Sequence, residues 1–133
     1  MEKFLHLEII TTDRKIFSGD VISVTAPGTL GEFQVLYNHA PLVSTLDIGR
    51  IKIVSTTQNE EVFASSGGIL EVRDNKIIIL AEAIEKENEI DISRAERAFQ
   101  NAKNIIGLKS AVNKEDEISA LKRAKNRLKI AKK

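Results

Sequence analysis

Residues 65–98 read SSGGILEVRDNKIIILAEAIEKENEIDISRAERA, and the fold is decided by a change of period inside this stretch. Its first half is strand-like. Ile69-Leu70-Glu71-Val72 and Lys76-Ile77-Ile78-Ile79-Leu80 flank Asp74-Asn75, which predicts a hairpin closed by a tight polar turn. The middle carries Glu82, Glu85, Glu87 and Glu89 and has no regular period. After Asp91 the apolar residues recur at helical spacing, through Ala95, Ala98, Phe99, Ala102, Ile105 and Ile106. Either Asp91 or Ser93 suits the N-cap, the latter forming a capping box with Glu96.

Upstream the strand pattern continues. Leu5, Leu7 and Ile9 alternate onto one face; residues 21–26 are rich in β-branched side chains; residues 50–54 alternate; Glu61-Val62-Phe63-Ala64 is a further short run. Turn chemistry separates these runs at Asp13-Arg14, Gly19-Asp20, Pro27-Gly28, Gly49, Gln58-Asn59 and Gly67-Gly68. Strands of about five residues with turns every ~8–12 residues predict an antiparallel sandwich or barrel.

Downstream, Gly107 is expected to stop the first helix. A second is expected after Asn113, with Glu115, Asp116 and Glu117 in its first turn, where the helix dipole favours anions. Its stripe is Ile118, Leu121, Ala124, Leu128 and Ala131, and its last turns carry Lys125, Arg127, Lys129, Lys132 and Lys133. The expected architecture is α+β: a flattened antiparallel β-sandwich or barrel over residues 1–86, then an antiparallel two-helix hairpin over residues 87–133. Both helical stripes are rich in Ala. They bury little area at ~25 cal/mol per Å², so the hairpin is expected to be weakly held, needing a partner surface or moving.

Charge divides at the same boundary. The 133 residues sum to a net charge of +1, but residues 1–90 hold 8 basic and 14 acidic side chains, a net of −6. Residues 91–133 hold 12 basic and 5 acidic, a net of +7. Such asymmetry marks an interaction arm or two modules. The absence of Cys excludes a disulfide scaffold and thiolate metal sites. The start, Met1-Glu2-Lys3-Phe4-Leu5, has no basic region leading into an apolar stretch, so no signal peptide is expected. No apolar run approaches the ~20 residues of a membrane span.

Enzymatic signatures are missing. Nucleophile-elbow, phosphate-loop and zinc patterns are absent, and the two histidines, His6 and His39, lack metal-ligand spacing. Gly67-Gly68 and Gly28-x-x-Gly31 read as turns or bulges. The basic second helix admits three readings: a solvated face, a nucleic-acid patch, or a face for protein or anions. A nucleic-acid patch would want interleaved aromatics, and this helix has none. Arg123 and Arg127 stand at i, i+4, one turn apart on one side, where two guanidinium groups can clamp phosphates or carboxylates.

Three stretches in combination carry a resemblance: GEFQVLYNHAPLVSTLDIG (31–49), the quoted residues 65–98, and ALKRAKNRLKIA (120–131). Their order and spacing resemble the epsilon subunit of the F-type ATP synthase, called delta in mitochondria, over nearly the whole chain. The resemblance implies a non-catalytic rotor subunit. Its sandwich would pack on the gamma subunit at the foot of the central stalk and touch the membrane ring of c subunits. Its hairpin would lie folded on the sandwich or extend into the alpha/beta catalytic head and inhibit ATP hydrolysis. Membrane contact would come only through the complex, at the cytoplasmic face of a bacterial inner membrane. On this resemblance Glu32 and His39 border the rotor-ring and gamma contact, and Lys122, Arg123, Lys125, Arg127 and Lys129 meet the acidic rim of the catalytic head.

No cofactor is required by the resemblance, but some bacterial members bind regulatory ATP through an Ile/Leu-Asp-x-x-Arg-Ala motif. It stands here as Ile90-Asp91-Ile92-Ser93-Arg94-Ala95, with Glu85, Arg123 and Arg127 in the accompanying places. The chain departs from the pattern at Asn101, where such sites can hold a further Arg, and at Gln34, where Gly is more usual. The first departure lowers the expected affinity for ATP, and the second alters the expected loop shape. The alternative function is a small free-standing module whose basic hairpin binds nucleic acid.

Overall fold

The computed structural model describes residues 3–107 and 115–131. The expected helix start near Asn113, the inter-helix loop, and Lys132 and Lys133 lie outside the described residues. Seven strands come first: β1 (Leu5–Ile10), β2 (Lys15–Gly28), β3 (Gly31–Val35), β4 (Leu42–Ser55), β5 (Glu60–Arg73), β6 (Lys76–Ala81) and β7 (Ile84–Lys86). A 3₁₀ turn at Glu87–Glu89 leads into α1 (Ile92–Ile106), and α2 (Glu115–Ala131) follows.

The strands form one sheet in the order β1-β6-β5-β4-β2-β3, and β1 also pairs with β2. The path from β1 through β6, β5, β4 and β2 therefore returns to β1, which removes free edges along the closed part. The pairings are antiparallel except β1 with β6, which is parallel. The alternation in β1 places Leu5, Leu7 and Ile9 inside with no exposed area, together with Val24, Ile53, Phe63, Leu70, Ile77 and Ile79. The apolar run Ile77-Ile78-Ile79-Leu80 is split by the pleat: Ile77 and Ile79 face in, whereas Ile78 and Leu80 face out.

Several glycines expected in turns lie inside strands instead. Glu61–Ala64 and Ile69–Val72, expected as separate strands, are one strand that passes through Gly67-Gly68, and Gly19 and Gly49 lie within β2 and β4. At Gly49 and Gly68 the reason is close approach. A Cβ on Gly68 would stand 2.2 Å from the Leu80 carbonyl oxygen, and its φ of +154° disfavours a side chain. The expected hairpin turn is present. Asp74 and Asn75 take φ of 50° and 61° between the paired residues Arg73 and Lys76, the left-handed pair of a type I′ turn.

Asp91, not Ser93, caps α1: its Oδ1 accepts the Arg94 N–H at 3.0 Å. The helical stripes are narrower than their periodicity implies. Ala95, Ala102 and Ala124 are buried, but Ile105 and Ile118 face solvent. Ile130, absent from the expected stripe, is only 4% exposed because it packs on the sandwich rather than on α1. It joins Val62, Ala64 and Ile90 in a small cluster separate from the main core.

Candidate functional site

Two surfaces outside the main core carry organised chemistry. The first is the seat between α2 and the outer face of β4 and β5. Phe63 points into the core, so the pleat turns Val62 and Ala64 outward, and Ile130 covers them. The Asn126 side-chain amide donates to the Gly49 carbonyl at 2.8 Å, and the Arg127 guanidinium pairs with the Glu85 carboxylate. Glu85 is held there by β7, where it pairs with Ala64. The i, i+4 arginines thus meet a carboxylate of this chain through Arg127.

Beside that ion pair is a cleft of about 290 Å³ lined by Glu85, Glu89, Asp91, Arg94, Ala95, Ala98 and Arg127. Five of the residues assigned to ATP by the resemblance, Glu85, Asp91, Arg94, Ala95 and Arg127, come together there. Two do not. Ile90 is buried in the Val62-Ala64-Ile130 cluster, and Arg123 lines a neighbouring small pocket with Ser65, Ser66 and Asn126. The Asp91 carboxylate is occupied as the α1 cap, while the Arg94 side chain is exposed. The cleft holds a cation for phosphate but lies at the small end of the ~300–1,000 Å³ typical of ligand sites.

The basic residues of α2 divide into two faces. Lys122, Lys125 and Lys129 are exposed, whereas Arg123 and Arg127 are half-buried toward the sandwich. Lys129 also borders a groove of about 640 Å³ whose other walls include Glu32, Arg50 and Asn126. Glu32 is exposed in β3. His39 is half-buried in a turn, where its N–H donates to Leu36 O at 3.1 Å and its Nδ1 lies 2.7 Å from Ala40 O.

The second surface was not anticipated from the sequence. On the outer face of β4, β5 and β6, Val43, Ile69, Ile78 and Leu80 are 69%, 45%, 40% and 52% exposed. Register makes them neighbours: Ile69 pairs with Leu80 and with Thr45, and Glu71 pairs with Ile78 and with Val43. The signal was present in Ile77–Leu80, since a continuous apolar run in a strand must put half its side chains on the far face. Contiguous exposed apolar area of this kind marks an interaction site. Among the described residues no cluster of three or more His, Asp or Glu could hold a metal, and no helix is long and apolar enough to cross a membrane.

Comparison with known proteins agrees with this layout. The family model for the ATP synthase delta/epsilon chain β-sandwich domain matches residues 4–87, and that for the long α-helix domain matches residues 88–132. The ATP synthase epsilon chain of Pelotomaculum thermopropionicum is 46% identical over 109 residues, covering 82% of this chain and 81% of that one. The epsilon chain of Nitratidesulfovibrio vulgaris is 42% identical over 131 residues, covering 98% and 97%. A chain in the Euglena gracilis mitochondrial ATP synthase shares the fold, with a TM-score of 0.88 at 21% identity over 100% of this chain and 84% of that one. A chain in the central stalk and c-ring structure of Tetrahymena thermophila gives a TM-score of 0.60 at 15% identity over 98% and 95%. With both family models in register with the strands and the helices, and relatives this similar along most of their own length, the chain belongs to the ATP synthase delta/epsilon family, the non-catalytic subunits of that complex.

Proposed function

We propose that this chain is a rotor subunit that docks on the gamma subunit of a proton-translocating ATP synthase through the apolar face of Val43, Ile69, Ile78 and Leu80. That uncovered face is the observation that carries the reading. A sheet that buries one face completely and leaves four large aliphatic residues together on the other is half of an interface. Glu71 stands beside Ile78 and Val43 in register, so a partner with an apolar centre and a basic group at its rim fits it. Glu32 and the loop with His39 would then face the c-subunit ring, and the complex would sit at the cytoplasmic side of a bacterial membrane.

The direct test is binding of the full chain to gamma. Ile69→Glu combined with Leu80→Glu should abolish binding while the chain stays folded, because both side chains already face water. Retained binding would overturn the docking face.

The hairpin is the regulatory arm of this reading. In the seated form Arg127 is held by Glu85 and Ile130 by the sandwich. Released, α2 would present Lys122, Arg123, Lys125, Arg127 and Lys129 as one basic helix to the acidic rim of the alpha/beta head. Deleting residues 91–133 should raise ATP hydrolysis by the reconstituted complex and leave assembly intact; unchanged hydrolysis would argue against inhibition. The exposed Arg94 beside Arg127 supports a second element, ATP held in the cleft as a signal that favours the seated hairpin. Calorimetric titration of ATP should give heat that Arg94→Ala and Arg127→Ala remove. Equal heat in all three proteins would sink ATP sensing.

A further inference from the structure

We propose that Asn75 is a positioning residue for the loop at Leu36–His39, its side-chain amide clasping the backbone N–H and the side-chain oxygen of Asn38, and that this clasp presents the loop to the rotor ring. The inference rests on the docking arrangement proposed above.

The loop has little else to fix its position. Leu36 is 49% and Tyr37 36% exposed, so neither is fully buried. The His39-to-Leu36 hydrogen bond closes the turn on itself but does not attach it to the sandwich. The attachment is the clasp. The Asn38 backbone N–H donates to Asn75 Oδ1 at 2.6 Å, and Asn75 Nδ2 donates to Asn38 Oδ1 at 3.3 Å. Asn75 also binds the third segment at this corner, since its carbonyl accepts the His6 N–H at 2.9 Å. One residue thereby joins the start of β1, the β5–β6 turn and the loop after β3.

The side chains are surplus to the turns that contain them. Asn38 has a φ of 65° and Asn75 a φ of 61°. Glycine meets both conformations with no steric cost. What asparagine adds at position 75 is an amide able to donate and accept at once, spent here on the Asn38 backbone N–H and the Asn38 side-chain oxygen. The clasp is exposed, so it contributes little to global stability. Its effect is on the loop's population of one placement, which is what a rotor contact through Tyr37 and His39 would need.

The test uses the full chain, gamma alone, and a detergent-solubilised gamma–c-ring subcomplex. Asn75→Gly keeps its turn and removes both bonds; Asn38→Gly keeps its turn and its backbone N–H, and so removes only the longer bond from Asn75 Nδ2. Asn75→Gly should weaken binding to the gamma–c-ring subcomplex at least about fivefold, the factor one hydrogen bond contributes, Asn38→Gly should weaken it less, and both should leave binding to gamma alone unchanged. The double variant should be no weaker than Asn75→Gly alone, because both bonds pass through the Asn75 amide. Asn75→Asp should restore affinity, since its carboxylate still accepts the Asn38 N–H and the Asn38 amide can turn to donate. Wild-type affinity in Asn75→Gly would overturn the proposal. So would an equal loss toward gamma alone accompanied by a lower melting temperature, which would mark a merely structural role. Failure of the wild-type chain to bind either partner would overturn the docking arrangement and the clasp's role with it.

Discussion

The outer face of β5 is covered at one end and bare at the other. Around Val62 and Ala64 it carries α2, through Ile130, the Asn126 amide and the Arg127–Glu85 pair. Around Ile69 and Glu71 none of the described residues covers it, although the aliphatic character there is greater. The inner face of the same strand is continuous with the main core along its length, through Phe63, Leu70 and Val72. A sandwich built around that core can stand alone. The helices instead rest on a four-residue cluster and a few polar contacts, a much smaller attachment than the core of the sandwich. The bare end is the face that the proposed docking would cover.

Substitutions at graded depth sharpen this contrast. Leu70→Ala empties a position with no exposed area, and should cost about 4 kcal/mol of unfolding free energy in urea titration of the whole chain. Gly68→Ala forces a Cβ toward the Leu80 carbonyl at an unfavourable φ, and should cost about 2–3 kcal/mol by the same measurement. Ile130→Ala should cost about 2 kcal/mol, but locally. Hydrogen exchange should accelerate in α2 while β5 and β6 keep their protection. If both slowed and fast amides shift together, the helices and the sandwich form one cooperative unit and the contrast breaks.

The polar contacts of the seat should matter less. Asn126→Ala leaves the Gly49 carbonyl without its donor, and should speed exchange in α2 by the equivalent of about 1 kcal/mol. Glu85→Gln weakens a pair whose side chains are about one-third exposed, at 31% and 33%. It should cost less than about 1 kcal/mol, and the difference from wild type should shrink in high salt.

Much of the fold was legible. The switch from alternation to helical spacing near Ile84–Asp91 separates strands from helices because side-chain period is a local property of each backbone conformation. The Asp74-Asn75 turn was legible because few residues accept the left-handed region. Strand lengths were not. Gly49 and Gly67-Gly68 look like breaks in sequence, but they are places where one strand passes close to another backbone or side chain. The candidate site was half legible. Asp91, Arg94, Ala95 and Arg127 lie with Glu85 along one cleft, whereas Ile90 and Arg123 face elsewhere. Helical spacing puts Arg123 and Arg127 on one side of α2; it says nothing of what each meets 40 residues or more away.

By itself the sequence determined the element types, the place where they change, the charge of each part and the family. Each of these rests on neighbours along the chain, or on motifs readable as strings. The tertiary structure decided the parallel pairing of β1 with β6 that closes the sheet, the seating of Ile130 on β5 and the occupation of Arg127 by Glu85. It also decided the meeting of Asn38 with Asn75. These depend on which distant backbones lie side by side, and that is set by packing one closed core rather than by any local preference.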